Sequence, residues 1–263
     1  MKSKRDNFEF ILNKKLNHIL NRDFSDAEKA LKEGLFKSAV VLYGGIIEAV
    51  LLYFLLSKVN DKNFRKELKK IPMKDKNKKE IKSYYKKIKK LNFNQLIKYA
   101  NQLNIILDPS VSNTIRDFRN FIHIFKELER LFVINKSNAK TAGDFTKNII
   151  DDFNKDWKNK TKKGKLFFTD RRAKYFDIRS RSINNDLLRE LCNKNYIDLD
   201  KFRSIYPGQN IGSALSNMSG WGICQIDSLL WDQMSGRFQK WIFNPYFKDY
   251  TRNYLRVDRA KKK

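Results

Sequence analysis

Nineteen consecutive residues, Ser38 to Leu56 (SAVVLYGGIIEAVLLYFLL), contain a single charged side chain, Glu48. No other feature restricts the fold as strongly. A run of that length and polarity must lie in a bilayer or in the centre of a helical core. Glu48 falls in its middle, and an ionisable group at bilayer depth is expensive. Gly44 and Gly45 suit close approach of a neighbouring helix. The expectation is a buried core helix at the centre of an α-helical domain.

Helical spacing surrounds this run. Phe8, Ile11, Leu12, Leu16, Ile19 and Leu20 recur as one face of a helix over residues 1–24. Ser25-Asp26-Ala27-Glu28 has the form of a capping box, Ser followed by Glu at the third position. It predicts a helix start near Asp26, continuing to Leu56 with a break near Gly34. Leu91 to Leu103 is amphipathic through Phe93, Leu96, Ile97, Ala100 and Leu103. Asp108-Pro109 then opens a helix running to about Val133, because Pro suits the first helical turn. A polar loop is expected at 135–143, and a further helix from Ala142 to Trp157.

Between these elements the composition turns basic. Residues 58–90 hold Lys66, Lys69, Lys70, Lys74, Lys76, Lys78, Lys79, Lys82, Lys86, Lys87, Lys89 and Lys90. Pro72 and a weak stripe of Tyr84, Tyr85 and Ile88 predict two short helices about a basic loop. Two readings stand for the lysines: an electrostatic footprint for RNA, or a solvated insertion. The whole chain has 56 Lys+Arg against 29 Asp+Glu, a net +27 over 263 residues. That charge attracts polyanions, nucleic acid first among them. With 41% hydrophobic residues a sizeable core is still available.

The helix after Pro109 carries the chemistry. At about 100° per residue, Ile115, Phe118, Ile122 and Phe125 share one side. Arg116, Arg119, Asn120 and His123 share the other. Arg116 and His123 stand two turns apart, and Arg119 and His123 are neighbours at i, i+4. An imidazole moves protons near neutral pH. A guanidinium holds a phosphate and stabilises charge developing on it. Asn120 or Asp117 could orient base or ribose. Together these groups suit metal-independent scission of RNA, with the 2′-hydroxyl as nucleophile and a 2′,3′-cyclic phosphate as product. The alternative is an ordinary solvated helix face.

The segment Arg116-Asp117-Phe118-Arg119-Asn120-Phe121-Ile122-His123 resembles the R-x4–6-H signature of HEPN domains. Ile124 stands where many members have Pro. Lys37 to Leu52, with its embedded glutamate, resembles the family's upstream helix, and Leu91 to Asn104 the helix before the motif. The resemblance covers roughly residues 25–135. It implies a helical bundle that dimerises, so that two motifs form one composite site. It also implies endoribonuclease activity in toxin–antitoxin, abortive-infection or other antiviral settings, with an inhibitory or activating protein as a further partner. Some HEPN domains only bind nucleotides or partners, so an inactive regulator or adaptor is the alternative. The catalytic candidates are Arg116, Asp117, Arg119, Asn120 and His123; Glu48 reads as a partner for an arginine or as part of a polar helix seam.

Residues 158–165 (KNKTKKGK) are polar and basic and read as a linker between a domain of residues 1–157 and one of residues 166–263. In the second, Leu166-Phe167-Phe168 and Tyr175 to Ile178 read as strands or extended arms. Asn184 to Asn193 (capped by Ser182 or Asn184), Asp198 to Tyr206 and Ile211 to Met218 read as short helices, and Phe238 to Phe243 as part of a two-stranded wing. Ile211 to Ile223 resembles a recognition helix and its exit into a wing, so the fold class expected is mainly α, a HEPN-like bundle followed by a small winged-helix-like α+β domain. That resemblance implies Ser213, Ser216 and Asn217 facing a groove of RNA or DNA, with Arg171, Arg172, Lys174, Arg237 and Lys240 near phosphates. The same helices could instead dock protein.

Cys192 and Cys224 share no metal-ligand spacing, and with only His18 and His123 no metal site and no cofactor are expected. The N-terminus does not read as a signal peptide. A reducing cytosol is the expected compartment. No P-loop, dinucleotide loop or nucleophile elbow is present.

Overall fold

The computed structural model describes residues 7–58, 62–74, 80–103, 134–169, 178–208, 211–226 and 240–260. The described chain is mainly helical with one small antiparallel sheet. It divides into two compact units. One comprises Met1–Phe8 and Lys15–Asp152, the other Glu9–Lys14 and Phe153–Lys263.

The first unit is built around the apolar run. Helix α1 spans Lys14–Lys32, α2 Phe36–Ser57, α3 Lys62–Lys69, α4 Tyr84–Lys89 and α5 Phe93–Gln102. Helix α2 packs against α4 and α5, and α3 against α4. Val40, Tyr43, Ile46, Ile47, Val50, Leu51, Leu55 and Leu56 of α2 are all buried. Among the described residues α2 alone is long and apolar enough to cross a membrane, and 56% of that apolar window is buried inside the protein. Glu48 is half-buried. Among the described residues nothing lies within 4 Å of a Cβ placed on Gly44 or Gly45, so close packing there is not seen.

The helix boundaries near the N-terminus differ from expectation. Phe8, Phe10 and Ile11 are buried, but they precede the helix rather than belong to it. Ser25 sits inside α1 and starts nothing, because Leu20, Ala27 and Ala30 continue one buried face through it. The break falls at Gly34, whose φ of +78° an L side chain rarely adopts. Short helices are capped locally. Ser83 accepts from Lys86 N before α4, and Asn92 and Gln95 form a reciprocal capping box before α5.

The expected loop at 135–143 is helical from Lys136. Asn135 Oδ1 accepts from Asn138 N at 3.0 Å and Asn138 Oδ1 from Asn135 N at 3.1 Å, a cap that amide side chains supply as readily as Ser and Glu. The helix that follows, α6, spans Lys136–Thr169 and runs through the expected linker 158–165 and through Leu166-Phe167-Phe168, expected as extended. Lysine is a good helix former, and a basic run is no obstacle when one face of it packs. The unit boundary lies inside α6, between Asp152 and Phe153.

The second unit continues with α7 (Ile178–Lys194), β1 (Tyr196–Asp198), α8 (Leu199–Ile205), α9 (Ile211–Gly220), β2 (Cys224–Ile226), β3 (Lys240–Phe243), a 3-10 turn at Pro245–Phe247 and α10 (Lys248–Ala260). Helix α7 begins before Ser182 and Asn184, the expected caps, which therefore lie within it. The sheet order is β1-β3-β2, antiparallel throughout, with Ile197 opposite Trp241 and Cys224 opposite Phe243. These four side chains face a core shared with Leu187, Leu188, Leu191, Leu215, Met218 and Phe247. Alternation along β3 explains the arrangement: Trp241 and Phe243 point inward while Ile242 between them is half-buried. Strand β1 has no strong sequence signal. It follows Asn195, which turns the chain out of α7 at φ 63° and whose carbonyl accepts from Phe243 N at 2.9 Å.

Two anchors fix the second unit. A Cβ on Gly164 would stand 2.3 Å from Trp221 O and 2.7 Å from the Phe247 ring, so α6 passes there only because residue 164 has no side chain. Gln225 on β2 reaches the N-terminal segment, its Nε2 donating to Phe10 O at 3.0 Å and its Oε1 accepting from Leu12 N at 3.1 Å. Phe10 stacks on Phe153, with ring centroids 5.0 Å apart.

Candidate nucleic-acid interface

The catalytic candidates Arg116, Asp117, Arg119, Asn120 and His123 lie outside the described residues, as do Arg171, Arg172, Lys174 and Arg237. Lys240 is placed by its backbone in β3, paired with Asp198. Ser213, Ser216 and Asn217 are exposed on α9, at i, i+3 and i+4 of one face. The opposite face buries Ile211, Leu215 and Met218. Local sequence accounts for this helix: apolar residues at helical spacing face the core and small polar residues face water. Helix α9 contains neither Lys nor Arg. Its exposed face offers hydroxyls and an amide, which can read a base edge but cannot neutralise phosphate.

Several lysines of the basic stretch have structural duties. Lys87 is buried, and its Nζ donates to Leu68 O at 3.3 Å and Ile71 O at 2.9 Å, carbonyls at and beyond the end of α3. An ammonium there satisfies acceptors the helix leaves open and complements its dipole. Lys90 Nζ donates to Lys74 O at 3.1 Å, and Lys70 pairs with Glu67 at 2.7 Å. These contacts hold the two short helices together. Lys66, Lys69, Lys82 and Lys86 remain exposed. The run is thus partly fold and partly surface.

A polar cluster closes the first unit. The Tyr43 hydroxyl donates to Glu28, and Lys147 Nζ lies 3.1 Å from the same carboxylate. Burial first, then the hydrogen bond and the negative charges of Glu28 and Asp144, hold the Tyr43 phenol well above its ordinary range. It stays neutral, as a structural donor should. Gly143 makes room for it, since a Cβ there would be 3.0 Å from the Tyr43 ring.

A concave surface in the second unit was not foreseen from the sequence. It encloses about 440 Å³ and is lined by Glu9, Trp157, Lys158, Thr161, Lys162, Lys165, Asn244 and Tyr246. Five of these come from α6 at i, i+1, i+4, i+5 and i+8, one helical face. Read as a linker, KNKTKKGK hides that periodicity; read as a helix, it displays it. Asn244 is buried and donates from Nδ2 to Gly222 O at 2.8 Å, while its Oδ1 accepts from Tyr246 N at 3.1 Å. Asn244 and Pro245 thereby fix the start of the 3-10 turn and the position of Tyr246.

Both cysteines are free and buried. Burial pushes the Cys224 thiol far above its usual value, which suppresses the thiolate. Among the described residues no group of three His, Cys, Asp or Glu could hold a metal ion. No family model, curated protein or solved structure matches this chain.

Proposed function

We propose that this protein is a metal-independent endoribonuclease of the HEPN type, acting in the cytosol as a toxin or antiviral effector. One observation carries the reading: Arg116, Arg119, Asn120 and His123 recur at the spacing of a single helix face. In the proposed reaction the 2′-oxygen attacks phosphorus, the bond to the 5′-oxygen breaks, and a 2′,3′-cyclic phosphate remains. His123 transfers protons between these oxygens, and Arg116 or Arg119 stabilises the charge on phosphorus. Asp117 and Asn120 orient the substrate. A homodimer pairing two motifs completes the site, and a partner protein restrains or activates it.

The test is cleavage of end-labelled RNA in excess EDTA by wild type, Arg116→Ala and His123→Ala. Wild type alone is expected to cut, leaving cyclic phosphate ends. A strict need for divalent metal, or equal cutting by all three proteins, overturns the reading.

A second reading, a nucleic-acid-binding regulator without catalysis, is favoured by the element order of the second unit. Helix, strand, helix, helix, strand, strand, helix with sheet order β1-β3-β2 supports a winged-helix-like domain. Binding of RNA or DNA by all three proteins without cleavage selects it.

A further inference from the structure

We propose that the groove between the second half of α6 and the Pro245–Phe247 turn is a binding site for single-stranded nucleic acid, with Tyr246 as a stacking platform for a base and Lys158, Lys162 and Lys165 as phosphate contacts. The proposal rests on the nucleic-acid reading given above but not on cleavage.

Four observations converge on it. First, the cations of the groove are gathered on one face of one helix. Lys158 and Lys162 stand at i, i+4, where like charges repel, and Lys165 follows within a turn. Against them the groove sets one carboxylate, Glu9, 4.0 Å from Lys158. Three ammonium groups against one carboxylate leave the site cationic. Phosphates spaced along a strand answer such a row.

Second, an aromatic ring is held in the open beside those charges. Tyr246 is 52% exposed, unusual for so large a side chain. It is not loose. Asn244 bonds its backbone, Pro245 precedes it, and its ring rests edge-on against Phe247 at 5.1 Å and beside Tyr250 at 5.9 Å. Rings fixed in advance lose little entropy when a base stacks on them. Lys165 Nζ lies 6.0 Å from the Tyr250 ring, so cation and ring already adjoin.

Third, the site is concave and narrow rather than a flat basic face, with Trp157 on the same helix face as the lysines. An unstacked base can enter such a groove, whereas a duplex keeps its bases stacked inside. Thr161 lines it and carries a hydroxyl without a hydrogen-bond partner among the described residues. Fourth, the exposed face of α9 has no Lys or Arg, so phosphate contacts in this unit must come from other elements.

The experiment uses the full-length protein and a fluorescein-labelled, 2′-O-methyl oligouridine, which binds as RNA but cannot be cut by its own 2′-oxygen. Anisotropy titrations compare wild type, the triple variant Lys158→Gln/Lys162→Gln/Lys165→Gln, Tyr246→Leu, Tyr246→Trp, and a charge-matched control, Lys32→Gln/Lys136→Gln/Lys140→Gln. The lysine triple variant is expected to lose at least about tenfold in affinity, and its slope of log affinity against log salt to fall by about 2, near 0.7 for each phosphate released. Tyr246→Leu should lose about tenfold with its salt slope unchanged, as a missing stacking contact does. Tyr246→Trp and the control should bind within about twofold of wild type, with the same melting midpoint. The Trp variant keeps the test valid if Tyr246→Leu proves unstable. Equal binding by wild type, the triple variant and Tyr246→Leu overturns the groove. So does a duplex that binds as tightly as the single strand, or polyglutamate that competes equally well against wild type and Tyr246→Leu. Failure of wild type to bind overturns it too, whereas intact binding with uncut natural RNA overturns only the nuclease reading.

Discussion

At the residue scale, identical side chains do different work, and the surroundings decide which. Lys86 and Lys87 are adjacent in the sequence; one is exposed, and the other is buried against the carbonyls of Leu68 and Ile71. Lys87→Met keeps the stem but strands two acceptors, so it should cost about 1–3 kcal/mol. Lys86→Met should stay within about 0.5 kcal/mol. Urea denaturation of the two variants gives the comparison, and equal midpoints would remove the capping role. The sequence could list both lysines as basic surface but could not tell them apart, because the carbonyls that select Lys87 lie 16 and 19 positions away. Tyr43 is a similar case. Its place in an apolar run was legible, whereas its hydrogen bond to Glu28 depends on how α1 packs on α2.

At the element scale, α6 shows where local reading fails. Asn135 and Asn138, polar enough to suggest a loop, are the reciprocal caps that start the helix. Gly164 looked like linker punctuation. In the structure it is the contact point of α6 with Trp221 and Phe247. Gly164→Ala improves helix propensity by about 1 kcal/mol. It also drives a methyl into a backbone oxygen, and overpacking costs about 1–3 kcal/mol. With a clash against backbone as well as a ring, the second effect should win, leaving the protein less stable by about 1–2 kcal/mol. A raised melting midpoint for Gly164→Ala would show that α6 can shift away. The same helix explains why the groove went unseen: its lysines and Trp157 line up only when residues 157–165 are wound at helical pitch.

At the scale of the whole chain, contacts between distant segments define the second unit. Gln225 bonds Phe10 and Leu12 across 215 and 213 positions, so residues 9–14 belong to a unit otherwise made of 153–263. Gln225→Leu leaves a carbonyl and an amide without their partner and should loosen that unit by about 1–3 kcal/mol. Cys192 and Cys224 report on it, both being free, buried and within the second unit. Thiol-reagent labelling of native wild type should be slow and limited by opening; Gln225→Leu should accelerate it by about tenfold. Unchanged labelling would mean that the N-terminal segment contributes nothing to that core.

The sequence by itself determined the elements whose signal is local. These include the apolar run that became α2, the break at Gly34, the spacing of α5, and the order of short helices and a terminal strand in the second unit. It also fixed the charge and the Arg116 to His123 pattern on which the proposed chemistry stands. Only the tertiary structure decided where residues 9–14 belong, that residues 158–165 are helix rather than linker, that β1 pairs with β3, and which lysines are structural. The reason is physical. Helical periodicity and turn chemistry act over a few residues and are written in order along the chain. A buried ammonium, a glycine under a ring and a strand of three residues are each fixed by partners that sequence proximity does not supply.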